Sequence, residues 1–310
     1  MRQSVQGRAP LDPNEEFSIG LDYYTGSIVR QSYEEAFGWF SKAAEHGDPN
    51  AEFFLGRMYA HGYGVKQSYP DAIRHLERAA EMGVPKAKYD LGLMHYAGRG
   101  TEQSTERTAQ LWLSAAEDGY SKAQYGIGLL YGCGAGVQRD REAAFRWMHK
   151  AALQGLSAAE YKIGLLYEEG IGTEQSYHNA DRWLKAAAEH GEPLALFELG
   201  WMRYFGMGCE ASEEEAKRLI DRALEKGVLD MMAREATHSD PYMQLRLGWL
   251  YDMGWGVEQS CFRALVWYSG ARMMGLGAAD EFIRKLTVRI ESMGAEEVLK
   301  RSEIADTTSD

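Results

Sequence analysis

Cysteine is scarce in this chain of 310 residues: Cys133, Cys209 and Cys261 stand at unrelated places. Three scattered thiols make no disulfide framework, so a reducing compartment is the expectation. Long apolar runs are missing too. None approaches the roughly 18–20 residues that cross a bilayer, and the opening stretch from Met1 to Pro10 has no apolar segment of the signal-peptide kind. These absences point to a cytoplasmic location without membrane association. Positive charge is outweighed, with 34 Lys and Arg against 46 Asp and Glu and a formal net charge of −12. Nucleic-acid backbones are held by clustered Lys and Arg, so nucleic acid is not the expected partner, while a basic protein surface suits the balance.

Catalytic signatures are absent as well. The chain has no H-E-x-x-H, C-x-x-C, G-x-S-x-G or G-x-x-x-x-G-K-[ST]. Its G-x-G pairs follow a helical pattern rather than a strand and lack a third glycine. The eight histidines are scattered; His46 and His190 share one place, ahead of a helix-ending glycine, where a cation suits the helix dipole. Cys133 lies in the loop Tyr131-Gly132-Cys133-Gly134 with no base beside it, and is expected to be inert. The residues therefore predict no catalytic group, no cofactor and no metal site.

What the chain does have is a 36-residue period, visible in the series Gly20, Gly56, Gly92, Gly128, Gly164 and Gly200, and resumed at Gly248. Each unit reads as two helices. In the first, residues such as Ala51, Leu55, Met58 and Tyr59 recur at helical spacing on one stripe, with Gly56 beside it. A glycine inside a helix costs about 1 kcal/mol relative to alanine, so the series demands a packing reason. Glycine pairs such as Gly62 with Gly64 end the first helix. The second helix starts at Ser32, Ser68, Ser104, Asp140, Ser176, Ser212 and Ser260, the predicted N-caps, with Ser32–Glu35 and Ser212–Glu215 as candidate capping boxes. Paired alanines precede a closing glycine. Trp39, Trp147, Trp183 and Trp267 hold the repeat's aromatic place and are expected in the core. The Glu-Gln-Ser triplets ending at Ser104, Ser176 and Ser260 read as solvated loop followed by a cap.

These residues, in the order A-x-[YF]-x-[LI]-G-x-x-Y-x-x-G-x-G-V-x-x-[DS]-x-x-x-A-x-x-W-x-x-K-A-A-x-x-G, resemble the Sel-one-like repeat, a relative of the tetratricopeptide repeat. The best copies are Ala51–Gly83, Ala123–Gly155 and Ala159–Gly191. The resemblance implies an all-α fold: a right-handed α-solenoid, or superhelix, of about seven helix-turn-helix repeats closed by a C-terminal capping helix pair. The expected units are 15–50, 51–86, 87–122, 123–158, 159–194, 195–242 and 243–276, after a tail at 1–14 and before a cap at 277–306 and a tail at 307–310. The sixth unit carries an insertion of about twelve residues near Val228–Tyr242, since Gly200 and Gly248 are 48 apart. It is expected either to add a short helix or to present a loop, with Asp240 and Pro241 starting the next helix. Relatives rich in cysteine pairs are linked to β-lactam binding, which this chain's cysteines do not support.

One place past each helix glycine stands a row outside the repeat pattern: Leu21, Arg57, Leu93, Leu129, Leu165, Trp201 and Trp249. In related solenoids the first helices line the concave face, so this row is expected to face a partner, flanked one turn away by residues such as Phe54, Arg246 and Phe205. The candidate contact set is Phe54, Arg57, Leu93, Leu129, Leu165, Trp201, Phe205, Arg246 and Trp249, with the tryptophans as hot spots. The competing reading places those side chains between repeats. The function implied is a non-enzymatic scaffold or adaptor for a protein or peptide, with self-association left open. A dedicated immunity protein or chaperone for one basic partner is the alternative, and a hydrolase the remote one.

Overall fold

Every second helix begins at the side chain expected to cap it. Ser32, Ser68, Ser104, Asp140, Ser176, Ser212 and Ser260 each accept the backbone N–H of the residue three places on. The computed structural model describes residues 12–237 and 240–294, and among these residues there are sixteen α-helices and no strand.

The helices pair in chain order. The pairs are α1 (Pro13–Thr25) with α2 (Tyr33–Glu45), α3 (Pro49–His61) with α4 (Tyr69–Glu81), and α5 (Pro85–Ala97) with α6 (Thr105–Glu117). Next come α7 (Ser121–Cys133) with α8 (Arg141–Ala152), α9 (Ser157–Glu169) with α10 (Tyr177–Glu189), and α11 (Pro193–Phe205) with α12 (Glu213–Glu225). The insertion forms α13 (Val228–Thr237) before the last pair, α14 (Pro241–Met253) and α15 (Cys261–Met273), and α16 (Ala279–Met293) follows. The chain is an all-α repeat solenoid.

Three devices recur among the pairs. The first is the helix glycine. A Cβ on Gly56 would lie 2.6 Å from Leu76 Cγ, and one on Gly200 would lie 2.6 Å from Ile220 Cγ1. The same clash, always with the residue twenty places on, recurs at Gly20 with Phe40, Gly128 with Met148 and Gly248 with Tyr268. The missing side chain is thus the seat of a large one from the second helix.

The second device is a glutamine clamp. Gln103, Gln175 and Gln259 donate from Nε2 to the carbonyls of Tyr96, Glu168 and Asp252 at 2.7–2.9 Å, satisfying acceptors left over at the end of the first helix. Gln31 and Gln67 do the same. The glutamines of the Glu-Gln-Ser triplets are therefore structural rather than free loop.

The third is a polar clasp between residues thirty apart. Glu16 meets His46 at 2.7 Å and Glu160 meets His190 at 2.8 Å. The same two places hold Lys88 with Asp118, with the charges exchanged, and Gln124 with Gln154 at 2.8 Å. The Glu160 carboxylate raises the pKa of His190 by accepting a hydrogen bond from its Nδ1.

Several expectations need correction. The first helix starts at Pro13, inside the stretch expected as a tail, because Asp12 caps it and forms a reciprocal box with Glu15. At Ser32 and Ser212 only the forward half of the box is found. Trp39, Trp147, Trp183 and Trp267 are half-buried, with Lys42 and Lys150 lying over two of the rings. The core side chain is the next one along, as at Phe40, Met148, Leu184 and Tyr268. The insertion is a helix, buried through Val228, Met232 and Ala236. Residues 295–306 of the expected cap, the tail at 307–310 and residues 1–11 lie outside the described residues.

The chain divides into two compact units. The first runs to Ala159 and includes Ile171–Thr173; the second takes Glu160–Gly170 and continues from Glu174. In the first unit the buried residues form three separate clusters, around Phe40 and Met58, around Leu76 and Leu91, and around Trp112 and Ile127. In the second they form one continuous core from Tyr161 to Leu286.

Candidate protein-binding face

In the first unit residues of α3, α4 and α5, with Tyr120 and Lys122 at the start of α7, line a groove of about 530 Å³. Three of the expected contact residues, Phe54, Arg57 and Leu93, line it. Leu93 is 39% exposed, and Leu129, the next member of the row on α7, is 40% exposed. Two leucines at helical positions that a packing role would cover are left open to solvent.

The groove is not simply apolar. Arg57 Nε lies 3.9 Å from Asp90 Oδ2, and the guanidinium sits 5.8 Å from the Phe53 ring centre. Burial raises the pKa of Asp90, and Arg57, His61 and Lys122 oppose that rise. Tyr89 and Tyr120 meet edge to face at 5.4 Å on the same wall. Burial raises the pKa of both phenols. Asp90 belongs to the flanking row seen in the sequence, but Lys122 and Tyr120 lie outside it. They enter because a third repeat reaches into the groove, which no spacing within one helix discloses.

In the second unit the row is closed at its two tryptophans. Trp201 is 6% exposed and Trp249 2%, which corrects their reading as surface hot spots. The two rings meet edge to face at 5.3 Å. Phe205 packs at 4.6 Å and Phe282 of α16 stacks at 6.1 Å on Trp201, so the capping helix covers the place a partner was expected to take. Phe205 keeps 40% of its surface open.

Arg246 is likewise buried, and so is no contact residue. Its Nη2 donates to both carboxylate oxygens of Glu168 at 3.1 and 3.2 Å. Its Nε lies 2.6 Å from Glu198 Oε2 but off the hydrogen-bond axis, an ion pair without an aligned hydrogen bond. Burial pushes the Glu198 carboxyl up, against the pull of Arg246. Glu169, beside this cluster, is raised to about 7 by burial, again opposed by Arg246. The flanking row carried a hint of this, since Glu198 and Arg246 are opposite charges at equivalent places of successive repeats. Leu165, half-buried, borders a shallow pocket with Lys162, Glu169 and Tyr242.

Among the described residues no group of three or more His, Cys, Asp or Glu is disposed to hold a metal ion. No described helix is long and apolar enough to cross a membrane. The three cysteines are free, with Cys133 exposed.

The Sel1 repeat profile matches at 17–48, 49–84, 85–120, 121–156, 157–192, 193–228 and 241–276. Among curated protein sequences none matches the chain. A solved structure of a protective antigen present in uropathogenic Escherichia coli, displaying an SLR fold, is similar with a TM-score of 0.68 and 27% identity. That likeness covers 96% of this chain but 62% of the antigen, so the chain spans less than two thirds of the antigen's length. A Sel1 repeat protein from Oxalobacter formigenes is 33% identical over 72% of this chain and 91% of its own, with a TM-score of 0.66. An immunity protein from Pseudomonas aeruginosa is 23% identical over 70% of this chain and 83% of its own, with a TM-score of 0.44, a distance at which the likeness carries nothing about function. Seven matched repeats, each coinciding with a helix pair whose caps and glycine contacts are on view, show that the chain belongs to the Sel1 repeat family.

Proposed function

We propose that the chain is a non-enzymatic scaffold or adaptor that holds a protein or peptide partner on the first-helix face of its first unit, through Phe54, Arg57, Leu93 and Leu129. The observation that carries this reading is the open groove of about 530 Å³ with Leu93 on its wall, in a row whose next member, Leu129, is equally uncovered. Repeat folds present such faces on a rigid frame, so little ordering is lost when a partner docks. Membership of a repeat family commonly used for protein interaction supports the same reading. Leu165 is the second unit's candidate, whereas Trp201, Trp249 and Arg246 serve as its frame.

The test is affinity capture from source-cell lysate with wild type beside a Leu93→Glu, Leu129→Glu double variant. Both positions are solvent-facing, so circular dichroism is expected to show unchanged helicity. Proteins retained by wild type and lost by the variant are the expected result. Equal retention by both, or none by wild type, counts against the reading.

A further inference from the structure

We propose that the groove of the first unit takes an acidic segment of a partner protein, with aromatic or aliphatic side chains set between its carboxylates. The proposal rests on the scaffold reading for its site and adds the chemistry of the occupant. Four cations line the groove, Arg57, Lys86, Arg99 and Lys122, against one carboxylate, Asp90. Four less one leaves a formal +3 in a chain whose net charge is −12.

The cations are also unspent. Lys86, Arg99 and Lys122 form no ion pair within 4.0 Å of a carboxylate among the described residues, and Lys122 acts on Asp90 only at longer range. Elsewhere in the unit Lys88, Arg74, Arg78 and Arg146 each meet a carboxylate at 3.5 Å or less. Arg57 is only partly engaged, since 3.9 Å to Asp90 is too long for a hydrogen bond and leaves its fork free for a second carboxylate. Asp90 therefore acts as an internal stand-in that half-neutralises Arg57 while the groove is empty. An incoming carboxylate gains Arg57 and Lys122 and is opposed by Asp90. The walls supply the second half of the recognition: Phe54, Tyr89, Tyr120 and Leu93 offer ring faces and an aliphatic edge, which reward apolar side chains and not a purely acidic run.

The local sign is opposite to that of the whole molecule. Net charge therefore favours a basic partner only at long range, where salt screens it over about 10 Å, whereas contact inside the groove is decided by its own cations.

The experiment is fluorescence anisotropy on the full chain with a labelled ten-residue peptide of alternating Glu and Leu. Its controls carry Lys in place of Glu, or Ser in place of Leu. The Glu–Leu peptide is expected to bind and the Lys–Leu peptide not to, with binding weaker at about 500 mM than at about 50 mM salt. Arg57→Gln with Lys122→Gln is expected to weaken it about ten- to twenty-five-fold, at about three- to fivefold for each cation. Asp90→Asn is expected to tighten it by about three- to fivefold, an effect that loss of packing does not imitate. Equal binding of the Lys–Leu and Glu–Leu peptides, an unmoved or weakened Asp90→Asn, an unmoved double variant, or no binding of the Glu–Leu peptide overturns the proposal. Lys86→Gln, at an exposed lining residue of the groove, serves as a second cation variant if the double one loses helicity. Lysate partners lost on Leu93→Glu, Leu129→Glu while the Glu–Leu peptide fails would leave the scaffold standing and remove only its acidic occupant.

Discussion

The two units use one repeat to opposite ends. The first keeps its apolar residues in three small cores and leaves the row past the helix glycines open at Leu93 and Leu129. The second merges its apolar residues into one core and fills the same row with Trp201 and Trp249, roofed by Phe282. The difference teaches that a repeat position has no fixed exposure. A leucine with nothing opposite it is surface, and a tryptophan opposite another tryptophan and a capping helix is core.

The largest expected effect sharpens that contrast directly. Trp249→Ala should destabilise the protein by about 3–5 kcal/mol, because a large ring leaves a filled core. Leu129→Ala, at the same place in the first unit and 40% exposed, should cost under about 1 kcal/mol. Denaturant melts followed by circular dichroism measure both, and equal costs would break the comparison.

A middle-sized effect probes what the units share. Gly56→Ala in the first and Gly200→Ala in the second each drive a methyl to 2.6 Å from a buried side chain, Leu76 or Ile220. Each should cost about 1–3 kcal/mol, because overpacking forces a shift of the second helix. A large difference between them would mean that the continuous core is stiffer than the divided one.

The smallest effect belongs to the second unit alone. Burial raises Glu169 from 4.5 to about 7, so the folded chain holds a proton there that the unfolded chain has released. Stability from this group is therefore lost as the pH rises from about 4.5 to about 7. Glu169→Gln should flatten the fall of melting temperature across that window and leave the acid side unchanged. An identical slope in wild type and variant would remove Glu169 from the account.

Much of this was legible before the fold. The seven N-caps, the helix glycines and the start at Asp240 are short-range signals, fixed by backbone hydrogen bonds within a few residues. That Leu93 and Leu129 share one row also followed from helical spacing, whereas their exposure did not, since the same row could have packed between repeats. The errors share one cause. Trp39 and its equivalents hold the repeat's aromatic place, which points to the core, yet the neighbouring helix seats the next side chain instead. The Glu-Gln-Ser glutamines read as solvent-facing because their acceptor is a carbonyl seven residues back, around a turn that the linear pattern does not show. Net charge suggested a basic partner, while the groove gathers cations from helices of successive repeats.

The sequence by itself determined the helices, their ends, their pairing and the glycine seats, because each depends on residues no more than about one repeat apart. Only the tertiary structure decided which members of the row are surface. Arg246 is buried because Glu168, 78 residues earlier, reaches it, and Trp201 is buried because Phe282 of the capping helix lies over it. Exposure is set by what stands opposite a side chain, and in the second unit what stands opposite comes from helices far along the chain.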